Sequence, residues 1–217
     1  MTADLPPWLR PLATAVRAVR AEDLTRVRGV PEGVTARESA VLIALSDTPD
    51  GPSVLLLERA ATLRDHAGQV AFPGGARDPG ETLVATALRE AGEEVGLRAE
   101  SVQVVAQLPG LFLPPSRFLV TPVLAWWRDE HDVGVVDVNE VARVVNVPLA
   151  ELADPANRST TTGPSGWRGP AFTARGLFIW GFTAGLLEGV LRLGGWARPW
   201  DESRERPLPA ATFGRPS

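Results

Sequence analysis

The stretch FPGGARDPGETLVATALREAGEEVGL, residues 72–97, determines how the rest of the chain is organised. From Thr82 to Val95 it contains no proline, and its apolar residues recur at the spacing of one helical face. The spacing predicts an amphipathic helix that packs one side on a core. Gly80 lies at the expected start of this helix, and Gly96 is a natural residue to end it.

Three glutamates share one edge of the predicted helix. Glu90 and Glu94 are four residues apart, so their side chains stack, and Glu93 lies beside them. A row of this kind is often only a solvated charged face. The pair Gly74-Gly75 favours a site instead, because glycine lets the backbone approach a ligand closely. Carboxylate oxygens gathered beside such a turn suit Mg²⁺ or Mn²⁺, which would relieve their mutual repulsion.

The pattern from Gly74 to Leu97 resembles the signature of the Nudix hydrolases, enzymes that cleave nucleoside diphosphates linked to another moiety. Ala91, where a larger aliphatic residue is usual, is a small departure. The resemblance implies an α/β fold, a Nudix-type α/β/α sandwich with a mixed β-sheet. It also implies Mg²⁺ or Mn²⁺ as cofactor, held by three carboxylates and one backbone carbonyl: Glu90, Glu93, Glu94 and Gly74.

The same resemblance implies roles for further residues around the predicted helix. Glu81 and Arg89 are expected to form the ion pair that holds the helix and the preceding loop in register, and Gly75 is expected to lie against the substrate. The glutamate that takes a proton from the attacking water stays open between Glu90 and Glu140. An equal alternative for Glu140 is that it caps a surface turn.

A second group of residues precedes the glycine pair. Isolated arginines such as Arg59 and Arg64 are usually surface residues, yet the guanidinium group is the side chain best shaped for bidentate contacts with phosphate. Together with Gly68, and apart from Glu58 where threonine is typical, they resemble the additional signature of the coenzyme A pyrophosphatases, a Nudix subgroup. The resemblance implies that both arginines bind substrate.

The two signatures together imply hydrolysis of the pyrophosphate of coenzyme A or its derivatives, giving adenosine 3′,5′-bisphosphate and 4′-phosphopantetheine. Two alternatives remain. One is a Nudix pyrophosphatase for another substrate, such as ADP-ribose or a dinucleoside polyphosphate. The other is a nucleotide-binding Nudix module without chemistry, against which the intact Glu90, Glu93 and Glu94 argue.

The composition narrows the class of partner. All 22 basic residues are arginine and the net charge is −4, so no general positive field attracts nucleic acid, and a small-molecule substrate must meet local charges. The 217 residues, 44% of them hydrophobic, suffice for one well-buried domain. The sequence holds no cysteine, no signal segment and no apolar run of membrane-spanning length. We therefore expect a cytoplasmic protein with no membrane partner.

Three regions are predicted along the chain. Residues 1–36 form an N-terminal helix and extension, 37–196 the Nudix domain, and 197–217 an irregular, proline-rich tail. The N-terminal helix, from Trp8 to about Ala21, is expected to lie on the domain or on a second subunit, which leaves a homodimer open.

Apolar runs predict the remaining elements. The predicted strands are residues 40–45, 54–59, 102–108 and 118–127, and the first two form a hairpin around a turn cluster at residues 47–52. Residues 111–116 are predicted as a loop near the phosphates, and 154–169 as a loop or lid. A C-terminal helix is predicted through Leu186 and Leu191.

Overall fold

The computed structural model of the protein describes residues 4–24, 30–63, 65–114, 116–163 and 166–208. Its α-helices are α1 Arg10–Ala15, α2 Ala21–Leu24, α3 Leu83–Val95, α4 Leu149–Ala153 and α5 Gly181–Leu193. Its strands are β1 Arg37–Thr48, β2 Gly51–Arg59, β3 Val70–Ala71, β4 Gly74–Ala76, β5 Val102–Gln107, β6 Leu111–Leu113, β7 Phe118–Trp127, β8 Val141–Pro148, β9 Arg158–Thr162, β10 Arg168–Ala174 and β11 Leu177–Ile179.

A mixed sheet of eight strands forms the centre of the described part of the chain. Its main path runs β3-β2-β1-β7-β5, with β1 and β7 parallel and the other neighbours antiparallel. Strand β8 pairs with β2, β6 with β7, and β4 with β1. A separate antiparallel sheet has the order β11-β10-β9. The short strands β3 and β4 carry the chain from β2 across to β1, so the glycine pair lies where β1 and β2 part.

Side-chain alternation along β1 divides the core into two layers. Ala40, Leu42 and Ala44 pack with α3, whereas Ile43 and Leu45 pack with α5 on the opposite face, and all five are fully buried. A strand buried on both faces reads as a continuous apolar run, which is why the sequence of β1 shows no polar alternation. The predicted sandwich with helices on both faces of a mixed sheet is confirmed.

Helix α3 begins at Leu83, three residues later than Gly80 suggested. Its N-cap is Thr82, whose hydroxyl oxygen accepts a hydrogen bond from the Ala85 amide at 3.1 Å. Gly96 ends the helix in the left-handed conformation, with φ of 74°, as predicted. The positions of the glutamates on this helix are therefore fixed by caps at both ends.

The N-terminal helix is shorter than predicted. The α-helix ends at Ala15 and continues as a short 3-10 turn, and Val19 is extended. The chain then starts again as α2, because the Asp23 carboxylate accepts a hydrogen bond from the Arg20 amide at 2.9 Å. Leu9 and other apolar residues of this region are buried in the same core as α5, so the segment lies on the domain.

The predicted hairpin between the first two strands is confirmed with a shorter turn, and two predicted loops are wrong. The turn between β1 and β2 is reduced to Pro49 and Asp50, because Thr48 and Gly51 already pair across the hairpin. Residues 111–113 form β6 against β7. The stretch 154–169 holds β9 and the start of β10 rather than a lid, and its threonines, which suit a strand, are mostly buried.

Residues 197–208 contain no helix or ladder strand, but they are attached to β9. The Thr160 amide donates to the Arg204 carbonyl at 2.8 Å, and the Thr160 carbonyl accepts from the Arg206 amide at 2.9 Å. Among the described residues, no helix combines the length and the apolar character needed to cross a bilayer.

Candidate active site

The structure brings the predicted site residues to one end of the β1–α3 layer. Gly75 pairs with Ala40 of β1, and Arg59, the last residue of β2, pairs with Val141 at the start of β8. The charge of Glu140, just before β8, acts on both Glu90 and Glu94 of α3, and the charge of Arg59 acts on Glu94. Elements distant in sequence therefore converge on one acidic cluster.

Glu94 is the most buried member of the cluster, with 4% of its surface exposed. Its Oε2 accepts a hydrogen bond from the Gly74 amide at 2.9 Å, and it has no ion pair within the described residues. Burial is the main reason that the pKa of Glu94 is raised to about 7; the charges of Glu90 and Glu140 add to the rise, and the Gly74 hydrogen bond and the charge of Arg59 oppose it. The charge of Arg59 therefore compensates the ionised form of Glu94 only in part.

Glu90 lies against the backbone of Gly75. A Cβ atom at Gly75 would stand 2.4 Å from Glu90 Oε1, so only glycine leaves room for this carboxylate. Burial raises the pKa of Glu90, Arg89 lowers it, and the charges of Glu93 and Glu140 raise it again. The glycine predicted to lie against the substrate thus also makes space for a predicted metal ligand.

Arg89 connects the helix with the loop before it. Its guanidinium binds Glu81 Oε1 at 2.8 Å, Glu90 Oε1 at 3.0 Å and Glu93 Oε2 at 2.9 Å, and it donates to the Ala76 carbonyl at 3.2 Å. This guanidinium is the main reason that the pKa of Glu81 falls to about 2. Arg89 therefore offsets part of the repulsion among the glutamates and ties α3 to the loop.

Thr86 also takes part in this arrangement, although it was not among the predicted site residues. It is fully buried, and its hydroxyl donates to Glu81 Oε2 at 2.9 Å. The available signal was a hydroxyl on the apolar face of a predicted helix, one turn ahead of Glu90. Thr86 orients Glu81, which in turn holds Arg89.

Arg59 is half-buried beside the cluster. Its Nε is buried and has no hydrogen-bond partner among the described residues, so the guanidinium keeps an unsatisfied donor beside the cluster. The other predicted substrate-binding residue, Arg64, lies outside the described residues. Glu140 is exposed, and its backbone carbonyl accepts from the Ala60 amide at 2.8 Å, which holds the segment before β8 against the end of β2.

The donor set fits a hard divalent cation. Glu94 is buried and Glu90 is half-buried, burial disfavours the charged form of each, and a cation would stabilise both. In the described part of the chain no three acidic or histidine side chains converge on one point. The reason is visible: Glu93 is turned onto Arg89 with 61% of its side chain exposed, and Glu94 is hydrogen-bonded to Gly74.

The raised pKa of Glu94 predicts how pH affects the metal-free protein. The pKa is about 7 when folded and ordinarily 4.5, so the folded state binds this proton more tightly than the unfolded state does. The contribution of Glu94 to the free energy of unfolding should be fully present below pH 4.5 and decline as the pH rises through 7, by up to about 3 kcal/mol. Urea unfolding at a series of pH values, with a chelator present to remove metal, measures this dependence.

Two results would test the origin of this pH dependence. Glu94→Gln should flatten the decline between pH 4.5 and 7 without changing behaviour below that range, where Glu81, with its pKa of about 2, is the relevant group. A free energy of unfolding that rises between pH 4.5 and 7 in the parent protein would contradict the burial of the Glu94 carboxylate.

Comparison with known proteins places the chain in a family. It is 44% identical over 115 residues to "Nudix hydrolase 3" of Caenorhabditis elegans, which covers 52% of this chain and 48% of that protein. It is 35% identical over 179 residues to "Uncharacterized Nudix hydrolase NudL" of Salmonella paratyphi B, which covers 79% of this chain and 90% of that protein. The chain thus spans about half the length of the first relative and nearly all of the second.

A solved structure agrees at the level of the fold. The Nudix hydrolase RenU of M. smegmatis superposes with a TM-score of 0.50 at 23% identity, over 76% of this chain and 90% of that one. Nudix hydrolases generally use divalent metal ions. The NUDIX domain family matches residues 36–162, a range that contains every candidate site residue described above. The chain belongs to the NUDIX domain family.

Proposed function

We propose that this protein hydrolyses the pyrophosphate of a nucleoside diphosphate derivative, with Mg²⁺ or Mn²⁺, and that its substrate is coenzyme A or a coenzyme A derivative. The observation that carries the proposal is the meeting of buried Glu94 with half-buried Glu90 and half-buried Arg59 beside the glycine pair. Acidic groups and an arginine with a donor to spare suit a substrate that brings both a metal ion and phosphate oxygens.

In this proposal each group has a definite task. A divalent cation held by Glu90 and Glu94, with Glu93 and the Gly74 backbone in support, would offset charge on the phosphate oxygens and lower the pKa of water. Arg59 orients the pyrophosphate from the opposite side. Water oxygen bonds to one phosphorus, the bridging P–O bond breaks, and a glutamate takes the proton.

Glu140 is our candidate for the glutamate that takes the proton. Glu90 is engaged with Arg89 and is also a proposed metal ligand, whereas Glu140 has no ion pair among the described residues and lies exposed beside the cluster. A base of this kind needs a free oxygen within reach of water. Glu140→Gln should therefore lower kcat and leave metal binding unchanged, whereas Glu90→Gln should weaken both.

The choice of coenzyme A rests on the resemblance around Arg59 and Arg64, and a substrate panel tests it. Purified protein is incubated with Mg²⁺ or Mn²⁺ and coenzyme A, ADP-ribose or a dinucleoside polyphosphate, and products are separated by chromatography. We expect adenosine 3′,5′-bisphosphate and 4′-phosphopantetheine from coenzyme A at the highest kcat/KM. If the protein prefers another substrate, the hydrolase assignment stands and the coenzyme A assignment is wrong. If it cleaves none of these substrates, the result favours a nucleotide-binding module without chemistry.

Arg59→Ala should lower kcat/KM for coenzyme A by roughly ten- to a hundredfold, because that factor corresponds to the free energy that one charge-assisted hydrogen bond contributes. Because its charge acts on Glu94, we expect Arg59 to contact the pyrophosphate, so dephospho-coenzyme A should lose as much. A loss confined to coenzyme A would instead indicate contact with the 3′-phosphate. Arg64→Ala is expected to lower kcat/KM similarly. If both variants cleave coenzyme A and dephospho-coenzyme A at the parent rate, the hypothesis that the arginines bind substrate is wrong.

A further inference from the structure

An exposed apolar surface lies next to the acidic cluster. It consists of Val135, Val136 and Val138, which are 37%, 58% and 74% exposed and are called the valine ridge below. Only two other large apolar side chains in the described residues are comparably exposed, Val30 and Trp167. Three of the five thus belong to one four-residue stretch, and the concentration calls for an explanation beyond chance exposure.

Hydrogen bonds hold the valine ridge in place. The Val136 amide donates to the Glu94 carbonyl at 3.1 Å, and just before it the Gly134 amide donates to the Val95 carbonyl at 3.1 Å. Beyond the ridge, the Val141 amide donates to the Asp137 carbonyl at 2.9 Å. The segment is therefore fixed to the C-terminal turn of α3, which holds the valines in the solvent-facing position rather than letting them fold inward.

The position of the ridge relates it to the proposed reaction centre. At one end it is bonded to the backbone of Glu94, and at the other it leads into Glu140, whose carbonyl is bonded to Ala60 after β2. The segment thus spans from the metal-ligand helix to the arginine side of the site. The Val136 side chain lies against Gly96, at the C-terminal end of α3 just past Glu94. The charge of Arg59 acts on Glu94 from the end of β2.

The charge around the ridge restricts what can bind there. Residues 129–140 contain no arginine and five acidic side chains: Asp129, Glu130, Asp132, Asp137 and Glu140. These charges repel phosphate groups and anionic membrane surfaces. The valines are apolar and the carboxylates around them repel anions, so we expect the group that lies over the ridge to be apolar rather than anionic.

We propose that the valine ridge binds the uncharged, branched arm of the substrate and so fixes the direction in which the substrate lies. The inference rests on the proposed function, in which that arm is pantetheine with its two methyl groups close to the phosphate. The anionic adenosine bisphosphate end then lies toward Arg59. The ridge is a specificity element for the group attached to the nucleotide, and it takes no part in the chemical step.

The two products test this orientation separately, because each carries one end of the substrate. We would measure inhibition of coenzyme A hydrolysis by 4′-phosphopantetheine and by adenosine 3′,5′-bisphosphate in the parent, in the double variant V136S/V138S and in the control V30S. Direct binding of each product by calorimetry supplies a readout independent of activity. In the double variant we expect 4′-phosphopantetheine to bind about tenfold more weakly and adenosine 3′,5′-bisphosphate to bind as in the parent.

Several outcomes would overturn the inference. Unchanged binding of both products means that the ridge does not touch substrate, and equal weakening of both means general damage to the site. A change in sedimentation coefficient with unchanged product binding means that the ridge is a contact between copies of the chain. If the parent neither cleaves coenzyme A nor binds either product, the proposed function itself fails, and the inference fails with it before any variant is made.

Discussion

Glu94→Gln is expected to lower the hydrolytic rate by at least about 100-fold while the protein stays folded. Glutamine keeps the size of the side chain and can still accept the hydrogen bond from the Gly74 amide, but it removes the charge that a divalent cation requires. The loss should appear in kcat at saturating substrate, and raising the metal concentration should recover only part of it.

Although Glu94→Gln should lower the hydrolytic rate, it should not lower the stability of the folded protein. Without metal at pH 8, Glu94→Gln should unfold at equal or higher urea concentration than the parent, because a buried charge beside Glu90 is gone. Glu100→Gln, an exposed glutamate after α3, is the matched control and should leave rate and stability unchanged. Glu94→Gln that retained most of the parent kcat at ordinary metal concentration would show that the metal assignment is wrong.

Gly75→Ala is expected to cause the second large loss of activity, by about 100-fold, with a small effect on stability. The added Cβ would meet only the end of the Glu90 side chain, at 2.4 Å from Oε1, so the carboxylate can move away and the fold can survive. The displaced carboxylate would then no longer stand where a metal ion and the substrate need it.

The neighbouring glycine provides the contrast. A Cβ at Gly74 would stand 2.3 Å from the Ala40 carbonyl oxygen and 2.7 Å from the Val41 Cα, which are backbone atoms of β1 and cannot move aside cheaply. Gly74→Ala should therefore lower the free energy of unfolding by several kcal/mol. Gly92→Ala, inside α3 with only ordinary contacts, should raise it by up to about 1 kcal/mol. Equal stability losses at Gly74 and Gly75 would contradict this division.

The sequence predicted the parts of the fold that depend on local pattern. Helix α3 was readable because Gly96 ends it and its apolar residues follow one face, although its N-cap Thr82 was not predicted. The β9–β10 hairpin was not, because its Thr, Ser, Gly and Pro residues are typical of a loop. Its burial depends on Arg158, which binds Glu188 at 2.6 Å and stacks between Phe172 and Trp200. A partner thirty positions away along the chain leaves no periodic signal.

In the candidate site, too, some features could be predicted from local sequence and others depend on tertiary packing. The glutamates and glycines were found together because they lie within one short stretch, and their spacing carries the resemblance. That Glu93 turns onto Arg89, and that the charges of Arg59 and Glu140 reach Glu94, depends on how β2, β8 and α3 pack. Sequence spacing gives which residues are available, whereas the tertiary structure decides which of them face one another.

Binding of Mn²⁺ to the purified protein, followed by the electron paramagnetic resonance signal of the free ion, tests the central claim most directly. We predict saturable binding by the parent protein that is weakened at least about tenfold in Glu94→Gln and left unchanged in Glu100→Gln. Equal Mn²⁺ affinity in the parent and in Glu94→Gln would contradict the assignment of this acidic cluster as a divalent-metal site.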